Sequence, residues 1–212
     1  MASKLTVYNG ALREIGERKL SSLTENREPR RVLDSVWDND FIKQCLSEGL
    51  WNFAMRTVEL TYSPSLTPDF GYTRAFDKPT DWIRTASVSG DERFATPLLA
   101  YNDEAGYWFA DIDTIYVRYV SNDDSYGADL SLWAPKFTLF VETELAARSA
   151  KRITGSDSEA AAIRKRADAV LKKARSVDAM NEPTKFAPQG SWASARGGRS
   201  RGDRGNRGSL IG

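Results

Sequence analysis

Residues 132–159, LWAPKFTLFVETELAARSAKRITGSDSE, predict most of one helix and the start of the next. Pro135 suits the first turn of a helix, because its missing N–H would have no partner there. Gly155 suits the position after a helix, where a left-handed backbone is common. Ser156 and Glu159 form the Ser-x-x-Glu pattern of a capping box. The stretch therefore predicts two successive helices joined by a tight turn.

Apolar residues on both sides of this turn recur every three or four positions, which is typical of helices with one buried face. The stripe before the turn consists of Phe137, Phe140, Val141, Leu145 and Arg148. The apolar face after it consists of Ala160, Ile163, Ala167, Val170, Leu171, Ala174 and Val177. The later helix would span about 24 residues, or about 36 Å. Pro183 ends its pattern.

Two more helices are predicted before residue 50. The first carries Leu5, Tyr8, Leu12 and Ile15 at helical spacing and ends at Gly16. The second starts near Pro29, repeats Leu33, Trp37, Phe41 and Cys45 every fourth residue, and ends at Gly49. Each pattern has the spacing and the end signals of a helix. We therefore expect one helical pair in residues 1–49 and another in residues 127–183.

The intervening residues 50–126 have strand-like patterns. Apolar residues alternate at Trp51, Phe53 and Met55, and the turn Asn-Asp-Glu-Ala-Gly separates two further candidate strands. Residues 82–88 are another candidate, and residues 114–120, TIYVRYV, are rich in β-branched and aromatic side chains. We expect a mainly α fold with a β insertion (α+β). It would have a four-helix bundle-like core, a small antiparallel sheet between the second and third helices, and an extended C-terminal arm at 184–212.

Composition excludes several kinds of site. The 212 residues include no histidine and one cysteine, Cys45. An internal disulfide, a Cys-based zinc site and the Ser-His or Cys-His nucleophile pairs are therefore excluded. No phosphate-binding loop is present. We expect no enzymatic activity, no cofactor and no metal site.

Paired aspartates are the remaining candidates for acid chemistry or metal binding. They are Asp38 with Asp40, Asp111 with Asp113, and Asp123 with Asp124. Turn and capping roles are favoured, since aspartate is a normal turn residue. For the tryptophans, positions in the core are favoured over an exposed interface.

No apolar run approaches the roughly 20 residues that cross a bilayer. The start, MASKLTVYNG, lacks the apolar centre of a signal peptide. We therefore expect no membrane span, no signal peptide, and synthesis in a reducing cytoplasm.

Charge is unevenly distributed along the chain. Residues 184–212 carry six basic side chains and one aspartate, a net charge of +5, whereas residues 1–183 carry 24 basic and 28 acidic side chains, a net charge of −4. A basic tail on a mildly acidic body indicates a partner that the body does not share. The residues that we expect to bind this partner are Phe186, Trp192, Arg196, Arg199, Arg201, Arg204, Arg207, Leu210 and Ile211.

Three interpretations of this tail stay open. It is a partner-binding arm that orders on docking, a disordered terminus, or an Arg-Gly segment that binds RNA or single-stranded DNA. Fixing its backbone costs on the order of 30–60 kcal/mol, so another chain would have to order it. Leu210 and Ile211 suit an apolar anchor in such a complex.

Six stretches of the sequence carry a resemblance to a known family. They are YNGALREIGERKLSSLTE (8–25), RRVLDSVWD (30–38), GLWNFAMRTVEL (49–60), AFDKPTDWIR (75–84), TIYVRYVSN (114–122) and LWAPKFTLFVETELAARSAKRITGS (132–156). In this order and spacing they resemble tailed-bacteriophage head-to-tail connector (adaptor) proteins of the tail tubular protein A type. The resemblance covers about residues 5–180 and leaves the arm outside.

The resemblance implies a structural virion protein at the head–tail junction, assembled in the host cytoplasm. Such proteins form a ring, typically of about twelve subunits, below the portal. The ring extends the channel for DNA ejection, docks the tail or nozzle protein, and contacts the portal through C-terminal arms. Genomic DNA passes without sequence-specific binding, and no membrane is involved. The alternatives are a nucleic-acid-binding protein that uses the Arg-Gly-rich tail and a helical scaffold of unrelated role.

Overall fold

A computed structural model of the protein describes residues 2–181 except 67, 69 and 70. The described residues form one compact unit of the α+β class. Its α-helices are α1 (Lys4–Ile15), α2 (Glu28–Val36), α3 (Ile42–Ser47), α4 (Pro135–Thr154) and α5 (Asp157–Ala179). Its strands are β1 (Met55–Thr61), β2 (Arg74–Asp77), β3 (Trp82–Ser89), β4 (Asn102–Glu104), β5 (Tyr107–Ala110) and β6 (Thr114–Ser121). None of the described helices is long and apolar enough to cross a membrane.

The predicted turn between α4 and α5 is confirmed. Gly155 follows α4 with φ of 69°, in the left-handed region that glycine favours. The Ser156 hydroxyl then accepts a hydrogen bond from the Glu159 backbone N–H at 3.3 Å. These two residues end one helix and start the next, so α5 folds back along α4.

The second predicted helix is broken, which corrects the continuous helix expected up to Gly49. A kink within Trp37–Phe41 separates α2 from α3, because Asn39 and Asp40 leave the helical backbone region. A four-residue step turns an ideal helix by about 400°, so a strict four-residue repeat drifts by about 40° per step. The repeat therefore does not require one continuous helix, and Phe41 after the kink is buried in the core.

The strands form two three-stranded antiparallel sheets among the described residues. Their orders are β1-β6-β3 and β2-β5-β4. The predicted strand at residues 51–55 is wrong at its start, because Asn52–Ala54 form a 3-10 turn and β1 begins only at Met55. Trp51 instead packs in the helical core, with its ring centre 4.7 Å from that of Phe137. Strand β2 was not predicted, since four residues beside Pro79 give almost no periodic signal.

Two hydrophobic clusters form the core. In the helical cluster, α1, α2 and α5 each pack against α4, with Phe137, Phe140 and Leu145 of α4 in the interior. The second cluster lies between the two sheets and includes Phe76 and Trp108. Trp51 and Trp108 are buried, as expected, whereas Trp37 and Trp82 are half-buried.

Asp81 joins the three strands of the β1-β6-β3 sheet at one end. Its carboxylate accepts hydrogen bonds from Arg56 at 2.9 Å, from the Tyr119 hydroxyl at 3.1 Å, and from Ser121. Burial alone would raise the pKa of Asp81, but the hydrogen bonds from Ser121, Arg56 and Tyr119 outweigh burial and lower it. The ends of β1, β3 and β6 thus converge on one buried carboxylate.

Candidate functional site

All nine residues predicted to bind a partner lie in the arm, outside the described residues, so their roles stay predictions. They are Phe186, Trp192, Arg196, Arg199, Arg201, Arg204, Arg207, Leu210 and Ile211. The helix that precedes the arm in the chain, α5, is described in full. The candidate site is therefore built from α5 and the contacts that position it.

The last turn of α5 is fixed by Asp178, whose residue surface is 8% exposed. The backbone N–H of Asn52 donates to Asp178 Oδ2 at 3.0 Å, and the Asn52 side-chain amide donates to the Asp178 carbonyl at 2.8 Å. These bonds join the end of α5 to the 3-10 turn after α3. The last turn of α5 is therefore held against the rest of the described residues. Sequence analysis missed this pair, because 126 positions separate the two residues.

Three arginines of α5 form ion pairs with three different helical elements. Arg164 pairs with Glu144 of α4 at 2.7 Å. Arg166 pairs with Glu14 of α1 at 2.9 Å, and Arg175 pairs with Glu48, just after α3, at 2.6 Å. Glu144 and Glu14 have side chains only 7% exposed, so their charges require these partners. The three pairs hold α5 in one rotation about its axis.

A small pocket lies where α3, α4 and α5 meet. Its volume is about 120 Å³, and its lining includes Gln44, Glu48, Glu144, Arg148 and Arg164. Glu144 accepts from both Arg148 and Arg164, and the hydrogen bond that Arg164 donates to Glu144 raises the pKa of Arg164. Because these charges satisfy one another, the pocket stabilises the helix packing and offers no unpaired group to a ligand.

Apolar side chains are exposed near the end of α5. Met180 is 80% exposed and Val177 is 36% exposed. Leu50, two residues before Asn52, is 45% exposed. Val177 was predicted on the buried face of α5, and its exposure corrects that placement.

Among the described residues, the side-chain cluster that most resembles a catalytic site surrounds the buried Lys78 in the sheet region. Lys78 Nζ lies 3.9 Å from the ring centre of Trp82 and forms an ion pair with Asp103. Asp103 also accepts from the Thr85 hydroxyl at 2.8 Å and from the Trp108 indole at 3.1 Å. Burial raises the pKa of Asp103, but the hydrogen bonds from Lys78, Thr85 and Trp108 outweigh it and lower the pKa. The cluster joins β3 to the β4-β5 hairpin, and its groups are satisfied by one another.

Among the paired aspartates, Asp123 has the turn role that the sequence favoured, whereas Asp111 and Asp113 contact the start of β2 and the residue before it, and Asp38 and Asp40 form ion pairs with lysines. Asp111 accepts from the Thr73 backbone N–H at 2.8 Å, and Asp113 pairs with Arg74 at 2.8 Å. Asp123 accepts from the Ser125 backbone N–H at 2.9 Å. Within the part of the chain that the structure describes, no cluster of three or more His, Cys, Asp or Glu side chains is arranged to hold a metal ion.

No protein-family model matches the chain, and no curated protein matches it.

Proposed function

We propose that the protein is a structural, non-enzymatic head-to-tail connector of a tailed bacteriophage, which forms a ring below the portal. In this role it extends the DNA channel at the head–tail junction and docks the tail or nozzle protein. The ring would contain about twelve copies, each in heterologous contact with the next. The six stretches between residues 8 and 156 support this proposal by their resemblance to connectors.

The arrangement of the helices is compatible with the proposal. We take α1, α2 with α3, α4 and α5 as the four-helix unit that the sequence predicts. The kinked segment from α2 to α3 would be its second helix, and both sheets lie in the connection between α3 and α4.

The observation that carries the proposed role of the arm is the fixed end of α5. Asn52 and Asp178 hold the last turn, and 31 residues with a run of arginines follow Asn181. An arm that starts from a fixed point loses less freedom on docking than one that starts from a mobile helix. Its arginines suit bidentate contacts with carboxylates on the portal. In a ring, each docked arm raises the effective concentration of the next one.

A mass measurement in solution tests the proposal. We expect the full chain to assemble into a ring on its cognate portal, and a chain that ends at Pro183 to remain folded but attach more weakly. The matched control is a full-length chain in which residues 194–212 are shuffled while their composition is kept. A full chain that stays monomeric beside the portal would contradict the connector role. Equal attachment of the full and truncated chains would contradict the role of the arm alone.

The nucleic-acid alternative predicts a different result. Deletion of residues 194–212 would then remove salt-dependent binding to short single-stranded oligonucleotides, with no effect of portal.

A further inference from the structure

The solvent face of α5 carries lysines and small residues. The exposed residues on this face are Ala161, Ala162, Lys165, Ala169, Lys172, Lys173 and Ser176. At about 100° per residue they lie within an arc of about 120° on the helix surface. No carboxylate lies in that arc. The nearest acidic side chain of α5, Asp168, is at its margin and lies 3.8 Å from Arg164.

Arginine and lysine have different positions on α5. The arginines at 164, 166 and 175 all pair with acidic residues of other elements, as described above. Lys165, Lys172 and Lys173 form no ion pair with any described residue. The arginine pairs fix the rotation of the helix, and this rotation directs the three lysines away from the body. The result is a local charge of +3 on a body whose net charge is negative.

The shape and chemistry of this face fit a duplex polyanion. Alanine and serine between the lysines let a smooth, charged surface approach the helix closely. Lys165, Lys172 and Lys173 lie within eight residues of one another, about 12 Å along α5, a length over which duplex DNA presents several phosphates. Single-stranded nucleic acid is held largely by stacking on aromatic rings, and α5 contains no aromatic residue. The face therefore favours the phosphates of double-stranded DNA.

We infer that the lysine face of α5, formed by Lys165, Lys172 and Lys173, contacts the phosphate backbone of duplex DNA without reading its sequence. The inference deepens the proposed connector function, on which its biological setting rests, because it identifies the surface that the DNA meets. Three phosphate contacts per subunit give a weak, salt-sensitive attraction. The acidic remainder of the body opposes tighter binding, so DNA can still slide.

Fluorescence anisotropy of a labelled 30-base-pair duplex with the full-length chain tests the inference. The affinity is measured from about 50 to 200 mM salt, and the slope of log K against log salt is compared between variants. Each phosphate contact contributes about −0.9 to this slope, so K165A/K172A/K173A should reduce its magnitude by about 2 to 3. The arm is present in every variant, so its contribution cancels. The conservative variant K165R/K172R/K173R should keep the original slope.

The matched control removes three exposed lysines elsewhere, K19A/K43A/K151A, with the same change in net charge. We expect this control to change the slope by less than about 1. An unchanged slope in the α5 variant, or an equal fall in the control, would overturn the inference. The inference would also be overturned if the α5 variant lost ring assembly but bound DNA normally, since the lysine face would then be a protein interface. A chain that binds DNA as expected but ignores the portal would instead contradict the connector function.

Discussion

At the scale of single residues, Gly10 marks a close approach of α1 to α4. A Cβ atom on this glycine would lie 2.1 Å from Cδ of Glu142. Glu142 is itself 7% exposed and pairs with Arg13 at 3.2 Å. Burial raises the pKa of Glu142, and the Arg13 guanidinium opposes the rise. Glu142 therefore has little room to move away from a larger residue at position 10.

The substitution Gly10→Ala tests this packing, because the sign of its effect on the free energy of unfolding depends on the contact with Glu142. Alanine gains about 1 kcal/mol over glycine in a helix, but the forced contact costs about 1–3 kcal/mol. We expect a net loss of stability in the wild-type background. In an E142A background the obstacle is gone, and the same substitution should stabilise the protein. Urea unfolding of the four chains measures both effects, and the same sign in both backgrounds would contradict the contact.

Lys78 is the second residue whose surroundings give a definite prediction. Its side chain is 7% exposed, whereas that of its partner Asp103 is 33% exposed. Lys78→Met leaves Asp103 without its cation, and we expect a loss of about 2–3 kcal/mol, below the range for a fully buried pair.

The control for Lys78 is Lys43→Met. Lys43 and Asp40 have side chains 52% and 65% exposed, so removal of this pair should cost at most about 0.5 kcal/mol. If Lys78→Met and Lys43→Met reduce the free energy of unfolding equally within error, a special role for the Lys78 cluster is refuted.

At the scale of elements, the break between α2 and α3 has a local conformational cost. Asp40 adopts φ of 52°, in the left-handed region, where residues other than glycine are strained by about 1–2 kcal/mol. Aspartate and asparagine tolerate this region better than most residues do. The strain persists because the next residue, Phe41, is buried in the core.

We expect Asp40→Gly to stabilise the protein by about 0.5–1 kcal/mol, because glycine adopts this conformation freely. The loss of the exposed Lys43 pair subtracts little. The control is Asp38→Gly, two residues earlier, where the backbone stays helical and the same change should destabilise by about 0.5–1 kcal/mol. Thermal melts of both variants give the comparison, and destabilisation by both would mean that the turn does not strain Asp40.

The elements differ in how far the sequence predicts them. Gly155 and Ser156 mark the α4–α5 turn, because each has a local backbone role that only a few residue types fill. The break at Asn39 was not predictable from side-chain spacing, since the four-residue repeat continues across it. Of the candidate site, the sequence indicates the arm and the apolar face of α5. It does not indicate the pairs of Arg164, Arg166 and Arg175, because their partners come from distant parts of the chain.

At the scale of the whole molecule, Asp81 makes the stability of the β1-β6-β3 sheet sensitive to acid. The ordinary pKa of an aspartate is 3.8, and the pKa of Asp81 in the folded protein is lower. A lowered pKa means that the carboxylate stabilises the fold at pH values above 3.8. This stabilisation is lost as the pH falls through the pKa of the folded state.

Asp81→Asn should therefore reduce stability most at about pH 6–7, and the difference from wild type should shrink as the pH falls toward about 3. Urea unfolding at several pH values, followed by far-UV circular dichroism, measures the difference. The exposed Asp77 provides a control, as Asp77→Asn should give a small difference at every pH. If the stability difference between Asp81→Asn and the wild type stays constant or grows as the pH falls, the hydrogen-bonded carboxylate does not stabilise the fold as proposed.

The sealed position of Cys45 has a practical consequence. Burial raises the pKa of this thiol, which is 1% exposed in the helical core, so thiol reagents should not label the native chain. Because Cys45 is the sole cysteine, a cysteine introduced at Ser194 would be the only thiol that we expect such reagents to label. A spin label or fluorophore attached there would test the proposed docking of the arm on a portal, with no need to engineer a cysteine-free background.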